Sequence, residues 1–98
     1  MQINCNREAE KLTIAPVGRI DTVSAPELER KLNEALDGVS ALVFDMSAVD
    51  YVSSAGLRVI LKAQKLMTHR GRMKLTGVNE SVMEVFDITG FADILNIE

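Results

Sequence analysis

The residues best placed to do chemistry stand side by side at Ser53 and Ser54, inside the stretch DYVSSAGLRVIL that runs from Asp50 to Leu61. Two hydroxyls, Ala55 and Gly56 come just before a run with helical spacing, so the hydroxyls fall where a helix begins. A helix amino terminus offers unpaired amides and a partial positive charge, and an anion there gains hydrogen bonds and a favourable dipole together. Either Ser53 or Ser54 can cap that end, and a phosphate added to either hydroxyl sits at the helix end rather than in a core. Glycine within a helix costs about 1 kcal/mol relative to alanine. Gly56 therefore implies that a side chain there would obstruct a neighbouring strand or an incoming partner. Ala55 is small as well, so the first turn should be low in relief and its hydroxyls reachable by another protein. The competing use of these serines is plain capping, worth about 0.5–2 kcal/mol.

Other chemistries find little support. His69 has no cysteine or paired carboxylate at ligand spacing, which argues against a metal centre. No G-x-x-x-x-G-K loop and no G-x-S-x-G elbow occurs. Cys5 stands alone, so it forms no internal disulfide; with no activating base nearby it reads as a half-buried strand residue. The five methionines read as core filler. The expectation is no catalytic residues and no cofactor: the chain reads as a substrate of enzymes. Arg58, Lys62, Lys65 and His69 recur at intervals of four, three and four. They form a basic stripe that is either a solvated face or a meeting surface for an acidic patch on a partner.

The net charge of -3, the 4% aromatic content and the absence of Trp argue against direct nucleic-acid binding, which needs basic surface and stacking platforms. The longest apolar run, Ala41 to Phe44, is far below the roughly 20 residues that span a bilayer. The opening MQINCNREAE has neither the basic leader nor the apolar stretch of a secretion signal. A cytoplasmic protein without membrane contact is expected, with monomer as the default state.

Ninety-eight residues leave room for one domain, and a 47% hydrophobic, 26% charged composition suits an ordinary globular one. Gln2–Cys5 and Lys11–Val17 read as a hairpin around the polar turn NREAE, with Leu12 and Ile14 on one face and Pro16 at an edge or strand end. In SAPELERKLNEAL, Ser24 and Glu27 match a capping box; Leu28, Leu32 and Leu36 form one apolar stripe, and Asp37-Gly38 ends the helix. ALVFD (41–45) is apolar without alternation and suits a central strand covered on both faces, pointing straight at VSSAGL. A helix from about Ser54 to His69 follows, its inner face traced by Leu57, Ile60, Leu61, Gln64 and Met67. The HRG lead-in supplies a glycine stop before a strand at Arg72–Thr76. Asn79 caps a short helix carrying Val82, Val85 and Phe86, Gly90 closes it, and a last strand or short helix covers Ala92–Ile97. Strands alternating with helices give an α/β domain, a mixed β-sheet flanked by α-helices.

Three stretches together resemble the STAS domain family, in particular its bacterial anti-sigma factor antagonists, or anti-anti-sigma factors. They are GRID at Gly18–Asp21, FDMSAVDYVSSAGLRVIL at Phe44–Leu61 and VFDITGFADIL at Val85–Leu95. GRID is similar to the family's turn ahead of the first helix, and the long middle stretch to its strand, loop and phosphoacceptor helix. The resemblance implies partner switching. The unphosphorylated protein binds an anti-sigma factor that is also a serine kinase, phosphorylation releases it, and a PP2C-type serine phosphatase restores it. Carried over by position, the acceptor is Ser54, with Ser53 as the alternative. Ser53 stands where many members have Asp, and Ala55 where many have Ser or Thr. The implied partner surface comprises Asp21, Ser53, Ser54, Ala55, Gly56 and Arg58; Asp21 also reads as a turn or cap residue before Ser24. Two rival readings keep the same helix end. One is a stand-alone STAS regulator of a phosphatase, sensory complex or lipid-transport ATPase; the other is a nucleotide-binding module.

Overall fold

The amino-terminal hairpin forms with longer strands than the residue pattern indicates. A computed structural model describes Met1–Glu98, and in it β1 (Gln2–Glu8) pairs antiparallel with β2 (Lys11–Ile20). Only Ala9 and Glu10 turn the chain, with Ala9 at φ 55. There follow α1 (Ala25–Ala35), β3 (Ala41–Asp45), β4 (Val49–Val52), α2 (Ser54–Thr68), β5 (Arg72–Thr76), α3 (Glu80–Thr89) and a closing 3-10 turn at Phe91–Asp93. The sheet order is β1-β2-β3-β5, with β4 added to β2 further along; every pairing except β1–β2 is parallel, so the sheet is mixed.

Pro16 lies inside β2, not at an edge or strand end, and it is buried. The reason is a change of neighbour: β3 pairs with β2 from Lys11 to Ile14, and β4 takes over from Gly18 to Ile20. Pro16 falls between the two, where a missing N–H breaks no ladder on that side. Gly18, at φ 95, accompanies a register shift that lets β2 continue to Ile20. The GRID segment is thus mostly strand, and the turn begins only at Asp21.

β4 stands between ALVFD and α2, so β3 does not feed the helix directly. Its buried residues, Val49 and Val52, are three apart rather than two, which conceals the strand period in the sequence. β3 itself alternates: Leu42 and Phe44 are fully buried, whereas Val43 is half-exposed. Register aligns Leu12 with Leu42 and Met73, and Ile14 with Phe44 and Leu75, all buried; Thr13, Val43 and Lys74 form the opposite, half-buried row. One face of the sheet therefore carries the core, and the expected cover on both faces is absent.

The helices complete one continuous cluster with that face. α1 buries Leu28 and Leu32, and its cap residue Leu36 is buried with them, as the stripe requires. Its capping box does not form: Ser24 sits in helical geometry with no cap bond, and Glu27 turns to the Met1 amine at 2.9 Å. Three buried leucines, each worth about 1.5–3 kcal/mol, outweigh a cap worth about 1 kcal/mol, so packing rather than capping fixes α1. On α2 the inner face comprises Leu57, Val59, Ile60, Ala63 and Met67 with Gly56; Leu61 and Gln64 are only half-buried. Gly71 does not close α2 through a left-handed turn. A β-carbon there would stand 1.8 Å from the Ser40 carbonyl, so the glycine permits a close backbone crossing. α3 is capped by Asn79, whose side chain accepts the Val82 amide at 2.8 Å, and ends at left-handed Gly90.

Candidate functional site

β2 and β4 run parallel and end together, with Ile20 opposite Val52. One residue later Ser53 leaves the sheet beside Asp21, and its amide donates to the Ile20 carbonyl at 2.8 Å. That bond sets the direction of the backbone entering α2. Ser53 keeps extended geometry (φ -85, ψ 176), and its hydroxyl oxygen accepts the Gly56 amide at 3.3 Å. Ser53 is the cap. Ser54 is the first residue of α2; it is exposed, and its hydroxyl makes no hydrogen bond within the chain. The two hydroxyls, indistinguishable by position alone, are thus divided between a structural and a free role.

Gly56 is buried under this turn. A β-carbon there would meet Ile20 Cγ2 at 2.7 Å, the Ile20 carbonyl oxygen at 2.8 Å and Val52 Cγ1 at 3.0 Å. Of the two uses the sequence left open, clearance for a neighbouring strand is the one realised. Gly56 is buried and shapes the site from beneath rather than forming its surface. Ala55 is half-buried and lines the surface beside Ser54.

Asp21 is the actual cap of the turn leading into α1. Its Oδ1 accepts the amides of Val23 and Ser24, each at 3.0 Å, and the Ser24 hydroxyl at 3.2 Å. The Ser24 amide chiefly, with the Val23 amide and the Ser24 hydroxyl, holds the Asp21 carboxyl below the usual carboxylate range despite some opposing desolvation; Arg19 adds a smaller pull. Arg19 Nε lies 3.8 Å from Asp21 Oδ2, and the Arg19 guanidinium stacks 4.3 Å above the exposed ring of Tyr51. Val23, in the same turn, is 87% exposed. Sequence reasoning missed Tyr51 and Val23; an aromatic and an aliphatic residue flanking polar turn residues were the available signals.

Between α1 and α2 lies an open groove of about 620 Å³ whose rim includes Thr22, Pro26, Glu29, Arg58, Lys62 and Lys65. The basic stripe divides here. Lys62 is tied to Glu29 across the groove, Arg58 is exposed and joins no ion pair, and His69 lies apart as the residue that caps the far end of the helix. Cys5 is exposed on β1 rather than half-buried, and partial desolvation still raises its thiol pKa, so it is a poor thiolate. No group of three or more His, Cys, Asp or Glu residues stands close enough to hold a metal ion. No helix is long and apolar enough to cross a membrane.

The sequence matches the STAS domain family over residues 2–98. The chain belongs to that family. This STAS domain is 30% identical over 98 residues to the anti-sigma-B factor antagonist of Bacillus subtilis, covering 99% of this chain and 90% of that protein. BtrV of Bordetella bronchiseptica is 38% identical over 82 residues, 82% of this chain and 71% of that protein. Among solved structures, an anti-sigma factor antagonist from Mycobacterium paratuberculosis superposes with a TM-score of 0.88 at 22% identity, over 98% of this chain and 83% of that one. The anti-sigma factor antagonist SpoIIAA in its unphosphorylated form gives 0.84 at 17% identity, over 99% and 88%. At these identities the structural likeness establishes the STAS fold alone, including the mixed sheet and the helix order described above.

Proposed function

We propose that this STAS domain is an anti-sigma factor antagonist that works by partner switching, with Ser54 as its phosphoacceptor. The observation that carries the reading is the division of labour between the two serines: Ser53 is occupied by the Gly56 amide, while Ser54 is exposed and unbonded. A kinase needs a hydroxyl it can surround, and only Ser54 offers one without first breaking a cap.

In the unphosphorylated state the Asp21 turn, Ser54, Ala55 and Arg58 form one surface on which an anti-sigma factor with serine kinase activity docks. Ser53 supports that surface from beneath. The kinase transfers the γ-phosphoryl group of ATP to the Ser54 oxygen, the hydroxyl proton is lost and ADP leaves. The product carries about -1.5 to -2 charges and three strong acceptor oxygens where a neutral hydroxyl stood. A charge left unpaired in an interface costs about 3–5 kcal/mol, roughly a 100- to 5000-fold loss of affinity. The complex separates, and a PP2C-type serine phosphatase restores the hydroxyl. On this reading the chain is acted on by enzymes and is not itself one, and it works in the cytoplasm, where sigma factors and their kinases meet.

Peptide mass spectrometry of the protein isolated from its own organism tests the assignment. A single phosphate on Ser54 that vanishes in Ser54→Ala is the expected result. Phosphate on Ser53 moves the site, and none under any growth condition removes the switch.

A further inference from the structure

Arg58 is the one cation at the head of α2 with no partner. It lies four residues after Ser54, so the two side chains share a face, and about 6 Å of helix rise separates them. Side chains on a helix lean toward its amino terminus, so the long Arg58 side chain is within reach of the turn that carries Ser54. An anion placed amino-terminal to a cation at this spacing is the favourable order. We propose that a phosphate on Ser54 is captured by Arg58 of the same helix, so that phosphorylation both adds negative charge at the acceptor and withdraws a cation from the partner surface. The inference rests on Ser54 as the acceptor and adds an internal reader for its phosphate.

The neighbouring charges leave this pairing open. Arg19 is held by Tyr51 and Asp21, and Asp21 is committed to the Val23 and Ser24 amides. On α1, Glu29 is paired with Lys62. Asp50 lies on β4 and is exposed. Lys65 lies eleven residues along α2, about 16 Å of helix from Ser54. α2 has no acidic residue in its first turn to compete for the guanidinium. Arginine suits the role because its planar fork meets two phosphate oxygens at once. Capture gives the switch a second component: a partner that meets Arg58 with a carboxylate loses that contact as the phosphate arrives.

The test places phosphoserine at position 54 during translation, so no kinase is required, and follows the second ionisation of the phosphate by phosphorus NMR. That pKa is ordinarily near 6. Capture predicts a value about half a unit lower in the parent protein than in the Arg58→Gln variant. Arg58 is exposed and unpaired, so the variant keeps its fold. Lys65→Gln removes the same charge at a distance and should leave the value within about 0.1 unit. A difference under about 0.2 unit for Arg58→Gln, or equal shifts for the two variants, overturns the proposal. Because the phosphate is placed by translation, that failure leaves Ser54 standing as acceptor, whereas a wrong acceptor shows itself in the mass map above.

Discussion

The α-carbon of Gly56 lies against Ile20 so closely that a β-carbon would stand 2.8 Å from the Ile20 carbonyl oxygen, the same oxygen that accepts the Ser53 amide. One contact thus joins the buried side of the α2 head to the strand end that carries Asp21.

Gly56→Ala should therefore destabilise the fold. Replacing a helical glycine gains about 1 kcal/mol, while overpacking costs about 1–3 kcal/mol. Overpacking falls in the upper part of that range, about 2–3 kcal/mol, because one of the struck atoms is the Ile20 backbone oxygen. A net loss of about 1–2 kcal/mol is expected in urea unfolding, with no change in m. Unchanged or increased stability would mean that β2 yields freely and that the head of α2 is not held as described.

The two serines should separate in opposite directions. Ser53→Ala removes the cap and lowers stability by about 1 kcal/mol, a fall of roughly 4–8 °C in Tm for a domain of this size, yet leaves a hydroxyl for the kinase. Ser54→Ala should keep the parent Tm and abolish phosphate incorporation. Thermal unfolding and phosphate counting on the same two samples decide it, and equal effects would contradict the division of labour.

The turn at Asp21 should give stability an acid dependence. Its carboxyl is held below the usual range by the Ser24 and Val23 amides, as Asp45 is by the Ser47 hydroxyl and amide. A pKa depressed by folding adds stability above the unfolded value near 4, and that contribution disappears as pH falls through the lower folded value. The urea midpoint should fall below about pH 4, and less steeply in an Asp21→Asn, Asp45→Asn double variant, which keeps an accepting oxygen but does not titrate. Parallel pH profiles would remove these carboxyls from the account.

Much of this was legible in the residues. The leucine stripe of α1 and the Asn79 and Gly90 boundaries of α3 announce themselves because local pattern and tertiary structure agree; β3 is found by its short apolar run, although that run conceals its one-sided burial. β4 did not announce itself, because its two buried valines are three apart where β2 changes register, so the two-residue strand period does not appear. Pro16 misled for a related reason: a proline marks a strand end unless the strand changes neighbours there, and only long-range pairing reveals that. Ser24 and Glu27 had the spacing of a capping box, but Asp21, three residues before Ser24, took the amides. At the site, the sequence located the serine pair and Gly56. Which hydroxyl is free, and that Gly56 is buried against Ile20, depend on how β2 and β4 end together, a relation no local window contains.

The central claim is that a phosphate on Ser54 turns off partner binding. The most direct test is isothermal titration of the anti-sigma factor kinase from the same organism into unphosphorylated protein and into protein carrying phosphoserine at position 54. The account predicts tight binding of the first and an affinity about 100- to 5000-fold weaker for the second. Equal affinity of the two forms would contradict it.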